Sequence, residues 1–256
     1  MSGNDSKAKE IKEPSEAIIP PNSDLLVQPS DLLPGDVLLY RSHGRKIHQR
    51  KISEATGSPY THAAICLGDG MVAESNFPNG VGIQPVEASI EGCRCVAVLR
   101  SQLGFGGGRP RKLNEFVDAV LKHGRFYDLI AVTGFEKTSK QYFDDQLEFV
   151  RNNYGKVTSD EEFARQSFFC SAFVVACYSV VGVIGPTAQI AYLPNAFSPG
   201  SLYQDPTFGW LLGYLVPEGG SVPEDDPAFT QATLWRDLPD CRWWNLSALK
   251  ISKAPQ

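Results

Sequence analysis

The chain has no excess of basic residues and no long uninterrupted apolar run. Its 256 residues include 24 Lys and Arg against 29 Asp and Glu, a formal net charge of −5, whereas nucleic-acid-binding proteins usually show a basic surplus. The most apolar stretch, residues 168–184, is interrupted by Ser, Tyr and Gly and is short for a membrane span. These absences argue against a nucleic-acid partner and against a transmembrane segment.

The cysteines lack the spacings of metal sites and redox motifs, since no Cys-x-x-Cys pair occurs. They are Cys66, Cys93, Cys95, Cys170, Cys177 and Cys241. The Gly-rich stretch 104–110 has no phosphate-loop spacing. We therefore expect neither a metal ion nor an organic cofactor. The first residues are polar and charged, with no apolar core of a signal peptide, so we expect a chain that is cytoplasmic at synthesis, with reduced thiols.

A histidine and a glutamate interrupt a predicted β-hairpin. Apolar runs flank the Gly-Asp-Gly turn at 68–70, and His62 and Glu74 are the polar members. A three-residue loop pairs Ala64 with Glu74 and places His62 and Glu74 on one face. A two-residue loop, Asp69-Gly70, places them on opposite faces unless a bulge restores the parity. The pattern leaves these registers open.

Cys170 opens the most apolar predicted helix of the chain. The unpaired N–H groups and the dipole at a helix start stabilise a thiolate, and a neighbouring imidazolium lowers a thiol pKa from about 8.5 to about 3.5–7.5. A carboxylate on the second ring nitrogen fixes the tautomer. Taken singly, a cysteine such as Cys170 and a strand histidine such as His62 are more often structural residues, and Glu74 is explained as an ordinary carboxylate of an edge strand. Together they predict a cysteine nucleophile site.

Composition divides the chain into three parts. We predict a flexible, charged tail over 1–30, one catalytic domain over 31–217, and over 218–256 an acidic Pro- and Gly-containing linker with a Trp-containing tail that docks on the domain. The basic segment 41–51 is either a solvated helix or loop, or a cleft wall that faces an anionic substrate. The predicted strands are 36–40, 61–67, 71–75 and 94–100, and the predicted helices include 112–123 and 139–153.

Five motifs, in this order, resemble the permuted NlpC-type papain-like superfamily, specifically its YiiX/YebB-like branch. They are Pro34-Gly35-Asp36-Val37, Thr61-His62 with the Gly68-Asp69-Gly70 turn, Glu74, Cys170-Ser171, and Ser198-Pro199-Gly200-Ser201-Leu202. The resemblance spans about residues 31–217. It implies an α+β, circularly permuted papain-like fold, with an antiparallel sheet or barrel packed against a buried nucleophile helix.

The hairpin is also similar to that of the lecithin:retinol acyltransferase-like proteins, another permuted branch. Those proteins usually carry a second histidine at the position of Glu74 and an Asn before the cysteine, where this chain has Phe169. Both departures favour the peptidase and amidase branch.

The resemblance implies a cysteine amidase or peptidase in which Cys170 attacks the amide carbon, His62 acts as general base and acid, and Glu74 orients His62. Tyr127 and Ser171 are further candidates for substrate contact or oxyanion stabilisation, although Tyr127 is equally well explained as a core aromatic residue. The alternatives are a thioester-forming acyltransferase or lipid hydrolase, and a non-catalytic binding protein on the same scaffold.

The substrate that the resemblance implies is a peptide or isopeptide amide, such as those of peptidoglycan. A chain made in the cytoplasm reaches a cell wall only by export, which here would use a route that needs no N-terminal signal peptide. The corresponding hypothesis is a secreted antibacterial effector with a delivery partner and an immunity partner.

Overall fold

Six antiparallel strands form one open sheet. A computed structural model describes residues 25–43, 47–124 and 146–230, together with 128, 135, 137–140 and 142. The strands are β1 Val37–Ser42, β2 Tyr60–Gly68, β3 Met71–Asn76, β4 Gly80–Pro85, β5 Cys93–Arg100 and β6 Trp210–Leu215. Their order is β4-β3-β2-β1-β5-β6, and each neighbouring pair is antiparallel. The architecture is thus α+β as predicted, with a sheet that does not close into a barrel.

Along the chain, the described α-helices lie between the strands and after the last strand. They are α1 Ile47–Thr56, α2 Val86–Ile90, α3 Arg109–His123, α4 Gln146–Asn153, α5 Asp160–Ala164, α6 Cys170–Val180, α7 Pro199–Gln204 and α8 Pro227–Thr230. Short 3-10 helices occupy Pro29–Asp31, Gln189–Ala191 and Pro194–Ala196. Among the residues described, no helix has both the length and the apolar character needed to cross a membrane.

Alternation along the strands divides the apolar side chains between two faces of the sheet. On β1, Val37 and Leu39 belong to the larger cluster, which the helices α3 and α6 cover. Leu38 and Tyr40 belong to a smaller cluster on the opposite face, which includes residues of α2. Every residue of α6 is buried, so this helix is central to the larger cluster.

The four predicted strands are present, but β4 and β6 were missed. Strand β4 lies at the edge of the sheet and contains two Gly and one Pro, residues that are depleted in strands. The predicted helix 112–123 is confirmed as α3, which begins earlier, at Arg109. The predicted helix 139–153 lies partly outside the described residues, and its end is α4.

The predicted flexible tail does not extend to residue 30, because the chain is packed on the sheet from Leu25 onward. Leu25 is buried, and its carbonyl oxygen accepts from the Tyr214 N–H at 2.6 Å. The Val27 N–H in turn donates to the Tyr214 carbonyl oxygen at 3.0 Å. These bonds place residues 25–27 beside β6. Residues 1–24 lie outside the described part of the chain.

The predicted linker after Pro217 is bound to the sheet through the buried carboxylate of Asp226. Oδ1 of Asp226 accepts from the hydroxyls of Tyr60 at 2.5 Å and Tyr214 at 2.7 Å. Its Oδ2 accepts from Nη1 of Arg41 at 3.0 Å. The side chain of Asp226 is fully buried, so the acidic composition of this segment reflects a structural anchor as well as surface charge. The rest of the predicted docking tail, 231–256, lies outside the described residues.

We expect Asp226→Ala to lower the free energy of unfolding by about 2–5 kcal/mol, because two buried phenols and part of the Arg41 guanidinium lose their acceptor. Asp225→Ala is the matched control, since Asp225 also accepts from Arg41, at 2.8 Å, but its side chain is 74% exposed. For that variant we expect a loss of at most about 1 kcal/mol. Urea unfolding of both variants measures the difference, and equal losses would contradict this account.

Candidate active site

The β2–β3 hairpin combines a two-residue turn with a β-bulge. Asp69 and Gly70 have φ values of 50° and 71°, as a type I′ turn requires. The pairing then shifts by one residue between Cys66 and Gly68. The bulge restores the parity, and Ala64 pairs with Glu74. Of the registers that the sequence leaves open, the molecule has the two-residue loop with the bulge.

This register brings His62 and Glu74 together on one face. Nε2 of His62 lies 2.6 Å from Oε2 of Glu74. The second oxygen of Glu74 accepts from the carboxamides of Asn76 and Gln84. Burial raises the pKa of Glu74. The hydrogen bond and charge of His62 and the two carboxamides lower it by more, so the net pKa lies below the ordinary value of 4.5. Glu74 is therefore an ionised carboxylate with both oxygens occupied.

Strands β2 and β3 separate at the end where His62 lies. Their pairing ends at Ala64 and Glu74, although β2 reaches back to Tyr60 and β3 runs on to Asn76. Beyond this point the facing backbone groups of the two strands are available to other partners.

The start of α6 lies in this opening. The Ser75 hydroxyl of β3 donates to the Phe168 carbonyl oxygen at 2.7 Å, and the Ala63 N–H of β2 donates to the Cys170 sulfur. The Cys170 thiol belongs to a helix that packs on the face of the larger cluster, whereas His62 points towards the opposite face. The thiol contacts His62 through the gap between β2 and β3. Without the separation of the strands, the sheet would lie between the two side chains.

Cys170 is the first residue of α6, as predicted. The adjacent Ser171 is fully buried, and its hydroxyl donates to the Phe197 carbonyl oxygen at 2.8 Å. That hydroxyl fixes the helix start, whereas the Ser171 backbone N–H donates to the Cys170 sulfur. The remaining candidate, Tyr127, lies outside the described residues.

His62 holds a hydrogen bond on each side of its ring. Since Nε2 faces Glu74, Nδ1 remains for the Cys170 thiol, to which the ring is also hydrogen-bonded. Burial raises the pKa of Cys170, but His62 and the two backbone N–H groups lower it to a net value below 9.0. Burial also opposes an imidazolium, yet Cys170 and Glu74 raise the pKa of His62 to about 10. At neutral pH these shifts favour a thiolate–imidazolium pair.

The other buried cysteines lie in surroundings with the opposite effect. Burial raises the pKa of Cys66 and of Cys95 to about 12, and it raises the pKa of Cys177 well above its ordinary range. All three are free thiols. Cys170 is thus distinguished from them by its partners, because its own burial is as deep.

Three residues of the site were missed by the sequence analysis. Asn76 stands two positions after Glu74 and so shares its face of β3, a signal that alternation could have supplied. Gln84 belongs to the missed strand β4, where it pairs with Val72. The ring of Tyr40 packs on His62 with 5.2 Å between centroids, from the strand on the other side of β2.

Within the described residues, no group of three or more His, Cys, Asp or Glu side chains is arranged to hold a metal ion. Cys170, His62 and Glu74 are side-chain types that serve in other proteins as a nucleophile, a base and an orienting carboxylate, and the structure brings the three together.

No protein-family model matches this chain, and no curated protein matches it.

We expect selective alkylation of Cys170 by iodoacetamide between pH 6 and pH 7. The pKa of the Cys170 thiol is lowered, chiefly by His62, whereas burial raises the pKa of Cys66 and of Cys95 to about 12, so at this pH the thiolate fraction is far larger at Cys170. Nucleophilicity falls with pKa less steeply than the thiolate fraction rises, so we expect Cys170 to react at least about tenfold faster than either of them. Mass spectrometry of the peptides measures it.

His62→Ala is the companion variant. This variant removes the hydrogen bond and the positive charge that lower the Cys170 pKa most, while Cys170 itself stays buried. Alkylation of Cys170 at pH 6–7 should therefore slow by at least about tenfold. An unchanged rate would show that His62 does not stabilise the thiolate.

Proposed function

We propose that the protein is a cysteine amidase or peptidase that acts through Cys170, His62 and Glu74. The observation that carries this proposal is the position of the His62 ring, which is hydrogen-bonded to the thiol at the start of a buried helix and to an ionised carboxylate. Such a pair is the activated form of a cysteine nucleophile, and a structural role would not need a lowered thiol pKa.

In the first half of the reaction, the Cys170 thiolate attacks the carbonyl carbon of the amide and forms a tetrahedral intermediate. The Cys170 backbone N–H, at the first position of α6, has no acceptor within the helix and suits the developing oxyanion. As the C–N bond breaks, the His62 imidazolium gives its proton to the leaving amine. A thioester on Cys170 and a free amine result, and His62 is neutral.

In the second half, neutral His62 accepts a proton from a water molecule that attacks the thioester carbon. The C–S bond breaks, the carboxylic acid leaves, and the thiolate–imidazolium pair is restored. Glu74 keeps its charge throughout, because its hydrogen bonds hold its pKa down. The first half needs thiolate and imidazolium together, so we expect activity to fall as the pH approaches the His62 pKa of about 10 and as Cys170 becomes protonated in acid.

The fold supports the same assignment at a coarser level. The strands β1 to β5 precede the buried helix that begins with Cys170, which is the order that the permuted NlpC-type papain-like proteins have. We propose that this chain is a member of that superfamily, and that its substrate is a peptide or isopeptide amide, with cell-wall peptides as the class to test first. The antibacterial-effector role remains a hypothesis that depends on this substrate.

Variants of Cys170 and His62 test the mechanism. Cys170→Ala should abolish hydrolysis of peptidoglycan fragments with little change in the unfolding midpoint, and His62→Ala should reduce it by about 10²–10⁴-fold. Since the two act as a unit, the double variant should be little worse than Cys170→Ala. High-performance chromatography of the fragments measures cleavage, with His123→Ala as the control histidine.

Full activity of Cys170→Ala would contradict the proposal. The products distinguish amide hydrolysis from acyl transfer, because hydrolysis releases a free amine and a carboxylic acid. Transfer of an acyl group from a lipid ester to an amine, without peptide cleavage, would instead support the acyltransferase alternative.

The contacts of Glu74 make a second test possible. In Glu74→Gln, the single carbonyl oxygen accepts from Asn76 and Gln84, so the amide NH₂ group faces Nε2 of His62. This donor requires Nε2 to be an acceptor, and it therefore favours the tautomer with its proton on Nδ1. We expect a loss of about 10²-fold or more. In Glu74→Gln combined with Gln84→Glu, the new carboxylate accepts from the amide NH₂, which turns the carbonyl oxygen towards His62.

This exchange should recover at least part of the lost kcat at unchanged total charge. A matched control is Glu74→Gln with Gln84→Leu, which offers no acceptor and should recover less. If the exchange gave no more activity than the control, Glu74 would act through its charge at His62 and not through orientation.

A further inference from the structure

Tyr40 is the cross-strand neighbour of His62 and packs on its ring. The register of β1 and β2 pairs the two residues directly, so both side chains lie on the same face of the sheet. Their ring centroids are 5.2 Å apart, with the ring planes inclined at 54°. Tyr40 is 3% exposed, and the His62 side chain is 21% exposed. The Tyr40 ring therefore shields His62 from solvent on the side of β1.

The Tyr40 side chain is held at both ends. Its backbone belongs to β1, and its hydroxyl donates to the Ser89 hydroxyl oxygen at 2.9 Å. Ser89 in turn donates to the Val86 carbonyl oxygen at 2.8 Å, so α2 fixes the far end of the Tyr40 ring. Burial and the charge of Glu74 raise the pKa of Tyr40 well above its ordinary value of 10.0, so the ring carries no charge at neutral pH. A neutral, immobile ring is a preorganised support for its neighbour.

The hydrogen bonds of His62 do not by themselves fix its ring closely. The second side-chain torsion of a histidine has broad energy minima, and a hydrogen bond tolerates deviations of tens of degrees from linearity. The bonds to Glu74 and Cys170 therefore leave the ring some freedom to turn. The packed ring of Tyr40 narrows this freedom, because it occupies the space beside the imidazole.

The Tyr40 ring also lies within reach of the charge on His62. An aromatic ring attracts a cation that lies within about 6 Å of its centroid, and the distance of 5.2 Å meets this condition. The attraction is stronger for the imidazolium than for the neutral imidazole. The titratable groups that act on His62 from the other elements are Cys170 of α6 and Glu74 of β3, which also favour the imidazolium, whereas burial opposes it.

We propose that Tyr40 is a positioning residue that holds the His62 ring between Cys170 and Glu74 and stabilises its imidazolium form. The consequence for amide cleavage rests on the proposed function, whereas the thiolate–imidazolium pair is measurable without a substrate. Tyr40 neither gives nor takes a proton in this role, since its hydroxyl proton is donated to Ser89.

Two substitutions separate the ring of Tyr40 from its hydroxyl. Tyr40→Phe keeps the ring and loses the bond to Ser89, whereas Tyr40→Leu keeps an apolar side chain and loses the ring. The pKa of His62 is measured by NMR titration of its Cε1–H signal, which is assigned by its absence in His62→Ala. From about 10 in the wild-type protein, we expect Tyr40→Leu to lower this pKa by about 0.5–1.5. Tyr40→Phe should keep it close to the wild-type value.

The direction of the change distinguishes this role from a merely structural one. A smaller side chain that only loosens the packing admits water to His62, which favours the imidazolium and raises its pKa, because burial lowers that pKa in the wild-type protein. Loss of the attraction to the ring lowers it instead.

Phe163→Leu is the matched control, because Phe163 is also 3% exposed but lies on α5. It should leave the pKa of His62 unchanged. Urea unfolding checks that each variant is folded, and Tyr40→Met, with a longer side chain, makes the same comparison if Tyr40→Leu does not fold.

The effect on position is measured by the kinetics of amide cleavage. Tyr40→Leu should reduce kcat by about tenfold or more with little change in KM, since a misaligned His62 affects the chemical step. The alkaline limit of its activity should move to lower pH together with the pKa of His62. Tyr40→Phe should keep most of the wild-type kcat.

An unchanged or raised His62 pKa in Tyr40→Leu, or an equal fall in Phe163→Leu, would overturn the proposal. Equal losses in Tyr40→Phe and Tyr40→Leu would also overturn it, because they would assign the effect to the hydroxyl. The two proposals fail separately. The expected fall in pKa, in a protein that cleaves no amide, would keep the role of Tyr40 and remove the proposed function. Amide cleavage by the wild-type protein, without the fall in Tyr40→Leu, would do the reverse.

Discussion

The arrangement of the site depends on holding one imidazolium between two anionic groups inside the protein. A buried charge costs several kcal/mol unless its remaining polar atoms are satisfied. Here Glu74 has two carboxamide donors besides His62, and the Cys170 sulfur has two backbone N–H donors besides the same ring. Each anion thus has donors of its own in addition to the shared ring. Because His62 and then the two backbone N–H groups all lower the Cys170 pKa, the net direction is downward although burial acts in the opposite direction.

The same requirement accounts for the irregularities of the sheet. His62 points towards the smaller cluster with Glu74, whereas α6 packs on the face of the larger cluster. A continuous sheet would keep the thiol and the imidazole apart. The bulge near Leu67 sets which face Glu74 occupies, and the separation of β2 from β3 admits the start of α6. Two departures from a regular ladder together assemble three side chains from two strands and a helix.

Those departures mark the limit of what the sequence could predict. The hairpin strands and the helix that begins at Cys170 follow from local apolar patterns, and both are present. The register was not determined, because a single extra residue reverses every face. Gln84 was missed because its edge strand contains Gly and Pro, and the role of Asp226 was missed because its partners Tyr60 and Tyr214 are distant in the chain. Local composition carries no information about such partners.

The groups proposed for bond cleavage lie on three elements, β2, β3 and α6. Strand β1 supports them from the side, since the ring of Tyr40 packs on His62. The next residue of β1 is Arg41, whose charge is balanced by the buried Asp226. The same carboxylate accepts from Tyr60 of β2 and Tyr214 of β6, so the segment after Pro217 holds the strands on both sides of the site in place without adding net positive charge beside it.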